Sequence, residues 1–331
     1  LAVSFLAVIS SIFGSPFTYA APAIMPGMPE PPATAPGQIR VNDLRAQLPP
    51  TGLSEATAIF AVVGNPAKHS WSPRVQGMAL KAARMDAVYV ALEPTDFGQF
   101  LELAKDENFR GFSVTAPFKA EAWKRAARSD GQSDATGAVN TLVREGDRWR
   151  GTNTDVGAVG DVLERAFRLH AQTPGRPVSI AAAHTLVLGT GGGARAALQA
   201  VKERGGKATV AGRSADRTAK IASDLGARAC AWDEIPQIAH DVLVHCTPVG
   251  SLVDPGRSPI PAEWIRAGTL VVDAVYRPLK TPLLQEAMKK NCTPVPGGEW
   301  FVRQAQAQFR VFTGQDADEQ LMRAAFANAL A

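Results

Sequence analysis

The sequence predicts an α/β protein of two domains with a cleft between them, and three observations carry that expectation. The chain has 331 residues, more than one average domain, so two units that each bury a core form the expected plan. From Ala58 onward, short β-rich runs alternate with amphipathic segments, the pattern of parallel or mixed sheets covered by helices. A glycine-rich turn, Gly189–Ala194, joins an apolar run to a helical one, as it does where a nucleotide meets a helix N-terminus.

Taken in order, the chain opens on an apolar run, Leu1–Phe13, followed by small residues around Ala20-Ala21-Pro22-Ala23 that imitate a leader with its cleavage site. It has no starting Met and no basic n-region, and is shorter than the roughly 18 apolar residues of a membrane span. Leu1 is therefore expected to be an internal start, with no membrane association. Residues 1–12 have helical spacing, Ser15–Tyr19 reads as a strand, Pro26–Pro36 as a Pro-rich loop and Val41–Leu48 as a short helix. So few elements cannot bury enough surface to fold alone.

In the main body, strands are expected at Ile59–Val63, Ala87–Leu92 and Gly111–Val114, with helices near Pro73–Arg84, Phe97–Asp106 and Phe118–Arg128. A hairpin, Asn140–Arg144 with Arg148–Thr152, leads into a helix at Val156–Leu169. The Pro- and Gly-bearing stretch His170–Ala182 reads as a surface connection. A second series of strands follows at His184–Leu188, Lys207–Ala211, Arg228–Ala231, Asp241–Cys246 and Leu270–Val275, with a helix at Ala194–Lys202.

Composition limits what these domains do. Hydrophobic residues make up 46% and charged residues 20%, as in ordinary folded domains. The net charge of +4 is spread along the chain rather than gathered into a basic stripe, which argues against nucleic acid and for small anionic ligands. Cys230, Cys246 and Cys292 are too few and too far apart for a disulfide framework or a zinc site, and suggest a reducing, cytoplasmic setting. The five histidines include no HExxH-like ligand pair, so no metal centre is expected.

The glycine turn has the form GxGxxA. Gly189 allows the tight turn, Gly191 lets the backbone approach a pyrophosphate, and Ala194 permits close helix–sheet packing, with Gly192 and Gly193 between them. This is the dinucleotide fingerprint of a Rossmann-type domain. About twenty residues on, where an NAD enzyme places an acid on the ribose, this chain has Gly212-Arg213-Ser214-Ala215-Asp216-Arg217. Arg213 and Arg217 suit a 2′-phosphate, so NADP(H) is expected. The plainer reading is a tight turn beside two solvated arginines.

The motifs Gly64-Asn65-Pro66, His69-Ser70-Trp71-Ser72-Pro73, Val114-Thr115-Ala116-Pro117-Phe118-Lys119, Gly137-Ala138-Val139-Asn140-Thr141 and Asn153-Thr154-Asp155 occur in the order found in shikimate dehydrogenases. The resemblance continues through the glycine turn, Cys246-Thr247-Pro248-Val249-Gly250, Asp273-Ala274-Val275-Tyr276-Arg277-Pro278, Thr281-Pro282-Leu283-Leu284 and Gln304-Ala305. It implies a substrate-binding α/β domain from 54–154 plus 297–331, and a Rossmann-type NADP-binding domain at 155–296. It also implies Lys119 and Asp155 as the catalytic pair, and Ser70, Ser72, Thr115, Asn140, Asp155, Tyr276 and Gln304 around a shikimate or 3-dehydroshikimate ligand. Ser214 and Thr247 would join the cofactor contacts.

In this scheme Lys119 stabilises or protonates the oxygen of a ring ketone, and Asp155 positions Lys119 and bonds a ring hydroxyl. The serines also have a plain reading as helix caps. The implied activity is NADPH-dependent reduction of 3-dehydroshikimate; a quinate/shikimate dehydrogenase and a non-catalytic sensor of shikimate-like acids are the alternatives.

Departures from the family pattern are Ser113 for a common Asn, Gln76-Gly77 for His-Asn, His245 for an Asn, and Glu299-Trp300-Phe301 for a Met-Leu pair. Ser113, being shorter than Asn, is expected to lose a ring-hydroxyl contact or to make it through water. Residues 1–50, with Phe13-Gly14-Ser15-Pro16-Phe17, Ala35-Pro36-Gly37-Gln38-Ile39 and Asn42-Asp43-Leu44-Arg45, resemble the end of a type I 3-dehydroquinate dehydratase barrel, with Gln38 at a substrate-touching position. An upstream fusion to that domain is the expectation, as is the absence of dehydratase activity from this chain; an apolar leader with a linker is the alternative.

Overall fold

The computed structural model describes residues 48–49, 52–105, 108–170 and 177–328. The expected dehydratase remnant, Gln38 included, lies outside the described residues apart from Leu48 and Pro49. Two compact units are present. Of the described residues, one holds those up to Asp130, Val139–Thr152 and those from Ala305; the other holds Gly131–Ala138 and those between Asn153 and Gln304.

The first unit begins with β1 (Ala58–Val63), α1 (Ser72–Ala82), β2 (Ala87–Leu92), α2 (Phe97–Leu103), β3 (Phe109–Val114), α3 (Lys119–Arg125) and β4 (Arg128–Ser129). Helix α4 (Gly131–Thr136) belongs to the second unit, and β5 (Thr141–Glu145) and β6 (Arg148–Thr152) return to the first. The sheet order is β2-β1-β3-β5-β6-β4. Strand β1 runs parallel to both neighbours, and its AIFAVV sequence is almost wholly buried, as a strand covered on both faces must be. Strands β5 and β6 form an antiparallel hairpin in which Glu145 faces Arg148. Gly146, at φ +63°, supplies the left-handed turn residue.

Aromatic rings fill this core: Phe97 stacks on Phe118 at 5.0 Å, and Phe112 meets Trp149 at 4.8 Å. The expected helix Phe118–Arg128 stops at Arg125. Ala127 N–H bonds the Trp149 carbonyl and Asp130 N–H that of Gly151, so these backbone groups are used at a sheet edge instead.

The second unit continues with α5 (Thr154–His170), β7 (His184–Leu188), α6 (Gly192–Glu203), β8 (Lys207–Ala211), α7 (Ala215–Leu225), β9 (Arg228–Cys230), β10 (Val242–His245), β11 (Leu270–Asp273), α8 (Pro282–Lys289) and β12 (Thr293–Val295). All its strand pairs are parallel, in the order β12-β11-β10-β7-β8-β9. The order reverses between β7 and β10, and the crevice at the carboxyl ends of such strands is where this architecture binds ligands.

The expected strand Leu270–Val275 ends at Asp273, whose carboxylate accepts the Val275 N–H at 2.9 Å. Helix α4 joins this unit because Asn153 Nδ2 donates to Thr136 Oγ1 and to the Ala138 carbonyl, while Arg195 Nη1 donates to the Thr136 carbonyl.

Helix α9 (Gly298–Thr313) begins in the second unit and ends in the first, and α10 (Glu319–Asn328) packs on α1. The Trp71 and Phe326 rings meet edge-on at 5.1 Å there. Among the described residues no helix is long and apolar enough to cross a membrane.

Candidate active site

In the first unit the expected substrate residues stand past the carboxyl ends of β1 and β3 and just before β5. A Cβ on Gly64 would collide with the Thr115 methyl and lie 3.0 Å from the Ala116 carbonyl. Glycine there lets the two strand-end loops touch, and Asn65 N–H bonds the Ala116 carbonyl at 3.0 Å. Thr115 is fixed by its N–H to the Val63 carbonyl at 2.9 Å.

The loop before α1 is tied down by Glu93, whose Oε1 accepts the backbone N–H groups of Ala67 and Lys68. Burial pushes the Glu93 carboxyl up, yet those two N–H donors and the Lys68 charge outweigh it and hold the group below its ordinary value. Ser72 opens α1 just before Pro73, and the N-cap is Trp71, with no side-chain cap bond. The serines therefore do not cap this helix. Instead Ser70 Oγ donates to Ser72 Oγ at 3.0 Å and accepts the Ser72 N–H at 3.2 Å.

Lys119 is the first residue of α3, half-buried, with its carbonyl accepting the Val139 N–H. Asn140, 1% exposed, has its Oδ1 bonded by the Thr141 hydroxyl at 2.8 Å. Ser113, 5% exposed, donates to Gln308 Oε1 at 2.7 Å and accepts the Tyr89 hydroxyl at 2.5 Å. The short side chain is thus engaged with protein groups.

In the second unit Asp155 is buried in the first turn of α5, its N–H bonded to Asn153 Oδ1 at 3.1 Å. Tyr276 is half-buried, its ring 4.7 Å from that of Phe301. Gln304 Nε2 donates to the Phe301 carbonyl one turn back. Trp300 is a core residue at 6% exposure.

The glycine turn follows β7. Gly189 has φ +117°, and a Cβ there would lie 3.2 Å from the Cys246 carbonyl oxygen; only glycine adopts that conformation at no steric cost. Gly191 is different: a Cβ there would meet nothing within 4 Å among the described residues. As N-cap of α6 it offers no side-chain cap, and the first N–H groups of a helix have no partner within it, which suits such an end to an anion. Ala194, 0% exposed, packs into the core.

Arg213 and Arg217 are exposed just past β8, at the same carboxyl end of the parallel strands. Ser214 is the N-cap of α7, its Oγ accepting the Arg217 N–H. Thr247 follows β10 at that end of the strands, with Oγ1 2.5 Å from His245 Nε2.

His245 explains its own departure from the family pattern. Fully buried, it places Nδ1 2.9 Å from Asp273 Oδ1, and Asp273 Oδ2 accepts the Thr281 hydroxyl at 2.6 Å. The ring therefore links the end of β11 to Thr247. Neither this link nor Gln308 was singled out from sequence, although Gln308 lies four residues after Gln304, one helical turn on.

A sequence model of the shikimate dehydrogenase substrate binding domain matches residues 62–142. The chain is 36% identical over 271 residues to the shikimate dehydrogenase (NADP(+)) of Halobacterium salinarum, a match covering 81% of this chain and 97% of that protein. The chain belongs to the shikimate dehydrogenase family. Within this family, the structure of the Thermus thermophilus shikimate 5-dehydrogenase, solved in complex with NADP(H) and shikimate, superposes with a TM-score of 0.72 at 32% identity. The match covers 82% of this chain and 100% of that one. The chloroplastic bifunctional 3-dehydroquinate dehydratase/shikimate dehydrogenase of Arabidopsis thaliana is 32% identical over 297 residues, which is 87% of this chain; the chain spans 49% of that longer protein.

Proposed function

We propose that this shikimate dehydrogenase family member catalyses the reversible NADPH-dependent reduction of 3-dehydroshikimate to shikimate, a step toward chorismate and the aromatic amino acids. The observation that carries the reading is the 36% identity to a shikimate dehydrogenase (NADP(+)) across 97% of its length. The second unit supports the cofactor. The open space over Gly191 and the uncapped N-terminus of α6 fit a pyrophosphate, and the exposed Arg213 and Arg217 fit a 2′-phosphate where an acid would repel it. Gly189, Gly192, Gly193, Ala194, Ser214 and Thr247 complete that set.

Bound NADPH supplies the hydride. The chain's own residues do the rest. Ser70 and Ser72 hold the substrate carboxylate: Ser72, which accepts from Ser70, has its own hydroxyl proton to donate, and Ser70 turns its proton from Ser72 to the carboxylate when substrate binds. Lys119 Nζ hydrogen-bonds the ketone oxygen, stabilises the charge that grows there and delivers the proton that makes it an alcohol. Asp155 accepts a ring hydroxyl and orients the ammonium. Thr115, Asn140, Tyr276 and Gln304 fix the ring, so that the reacting carbon is presented in one pose.

The test is turnover of NADP+ with shikimate, followed at the nicotinamide absorbance, against quinate and NAD+ as competitors. Turnover with shikimate and NADP+ is expected to dominate. No turnover at any pH, with shikimate still bound, would make the protein a sensor.

For residues 1–50 the proposal is a terminal piece of a dehydroquinate dehydratase domain that precedes this unit in a fused protein. The Arabidopsis relative, bifunctional by name and matched over 87% of this chain, supports it. Incubation of this chain with 3-dehydroquinate is expected to give no dehydration, and measurable dehydration would refute the fragment reading. For Cys230, Cys246 and Cys292 the proposal remains a reducing, cytoplasmic setting.

A further inference from the structure

Five buried side chains of the first unit form one run of hydrogen bonds. Tyr89 donates to Ser113 Oγ, and Ser113 donates to Gln308 Oε1. Gln308 Nε2 donates to the Asn140 carbonyl at 3.0 Å and to Thr141 Oγ1 at 3.2 Å, and Thr141 donates to Asn140 Oδ1 at 2.8 Å. None is more than 5% exposed.

The polarity of the run follows from one group. The Asn140 backbone carbonyl can only accept, so the end of Gln308 beside it must be the Nε2 amide. A flipped amide would set two acceptor oxygens 3.0 Å apart. Gln308 Oε1 therefore faces Ser113, whose single proton is spent on it, and the Ser113 oxygen in turn takes the Tyr89 proton. Thr141 Oγ1 receives the Gln308 amide, and its own proton goes to Asn140 Oδ1. With Thr141 accepting from Gln308 and donating to Asn140 Oδ1, the Asn140 carboxamide has Oδ1 toward Thr141 and its two Nδ2 donors turned away from it.

We infer that Ser113 and Gln308 are positioning residues that set Asn140 as a hydrogen-bond donor, so that it recognises an acceptor oxygen on the substrate ring. The inference rests on the proposed contact between Asn140 and the substrate. It also gives Ser113 a purpose. A larger amide at that position could not share the same three-way contact with Tyr89 and Gln308 without displacing one of them.

Steady-state kinetics on the full chain test it, using Gln308→Leu, Ser113→Ala and Asn140→Ala alone and in pairs. Loss of one buried hydrogen bond of about 1.4 kcal/mol corresponds to a tenfold effect. Gln308→Leu is expected to raise KM for shikimate about that much while KM for NADP+ stays unchanged. In an Asn140→Ala background the same substitution should raise the shikimate KM no further. Ser113→Ala, which deletes a single oxygen and threatens folding less, should show the same pattern at smaller size, with Ser113→Thr restoring the wild-type value.

A Gln308 or Ser113 effect that persists in full beside Asn140→Ala, or that moves both substrates' KM equally, overturns the positioning role. An Asn140→Ala chain with wild-type KM would instead remove Asn140 from substrate binding, and both readings with it.

Discussion

Lys119 and Arg213 show how differently two cations are tested. Lys119 heads α3, where its backbone carbonyl is already committed to Val139, so truncating the side chain leaves the backbone fold in place. Lys119→Ala should lower kcat about 10²–10⁴-fold, the contribution of one positioned acid–base group, with an unchanged unfolding transition. Wild-type turnover would remove it from the mechanism.

Arg213 is exposed just beyond the carboxyl end of β8 in the second sheet. Arg213→Ala should weaken NADPH at least about tenfold, given roughly 1.5–3 kcal/mol for a charge-assisted bond, and leave NADH nearly untouched. Equal weakening of both would contradict the phosphate contact. Neither proposed role is derivable from the residue alone, since a lone Lys or Arg is ordinarily a solvated surface charge; the strand-end position of Arg213 and the motif around Lys119 are what carry the two proposals.

At the scale of the element, the two glycines that flank Thr190 separate folding from binding. Gly189 sits at φ +117° against the Cys246 carbonyl, so Gly189→Ala should destabilise the second unit by about 1–3 kcal/mol, seen as a lower denaturation midpoint. Gly191 has no described neighbour within 4 Å of where its Cβ would stand. Gly191→Ala should cost no more than about 1 kcal/mol, the scale of an N-cap change, yet raise the Kd for NADP+ strongly in calorimetry. Normal cofactor affinity in that variant would sink the pyrophosphate assignment.

His240, just before β10, gives a pH signature. Its Nδ1 bonds the Ile238 carbonyl at 2.8 Å while Nε2 has no partner among the described residues. Burial is the chief reason its pKa falls below the ordinary 6.5. As the pH drops, the unfolded chain takes up this proton first, so stability is whole above about pH 6.5 and declines toward the depressed value. His240→Phe should flatten that part of the stability–pH curve, and an unaltered slope would show that another group sets it.

For the whole molecule, the two units each carry their own core, one built on Phe97, Phe112, Phe118 and Trp149, the other on the alanine-rich face of α6 against β7 and β10. A cofactor held by the second unit should stabilise that unit directly. NADP+ at a hundred times its Kd adds about 2.7 kcal/mol to whatever unfolds with the site. In a calorimetric scan the transition of the second unit should rise with NADP+, while addition of NAD+ at the same concentration moves it less. No shift with either nucleotide would count against a dinucleotide site at the glycine turn.

The sequence alone determined the alternation of strands and helices, the glycine turn and the arginines beyond β8, because each depends on local chemistry: side-chain period, φ freedom, and charge within a few residues. Strands such as Ala87–Leu92, His184–Leu188 and Lys207–Ala211 were readable to the residue. Only the tertiary structure decided that Gly131–Ala138 joins the second unit, that Arg128 leaves its expected helix for the edge strand Arg128–Ser129, that His245 bridges Asp273 and Thr247, and that Gln308 reaches Asn140 across 168 residues of chain. Those outcomes turn on hydrogen-bonding groups whose partners are distant in sequence, and a buried donor or acceptor takes its partner from whatever the fold brings beside it.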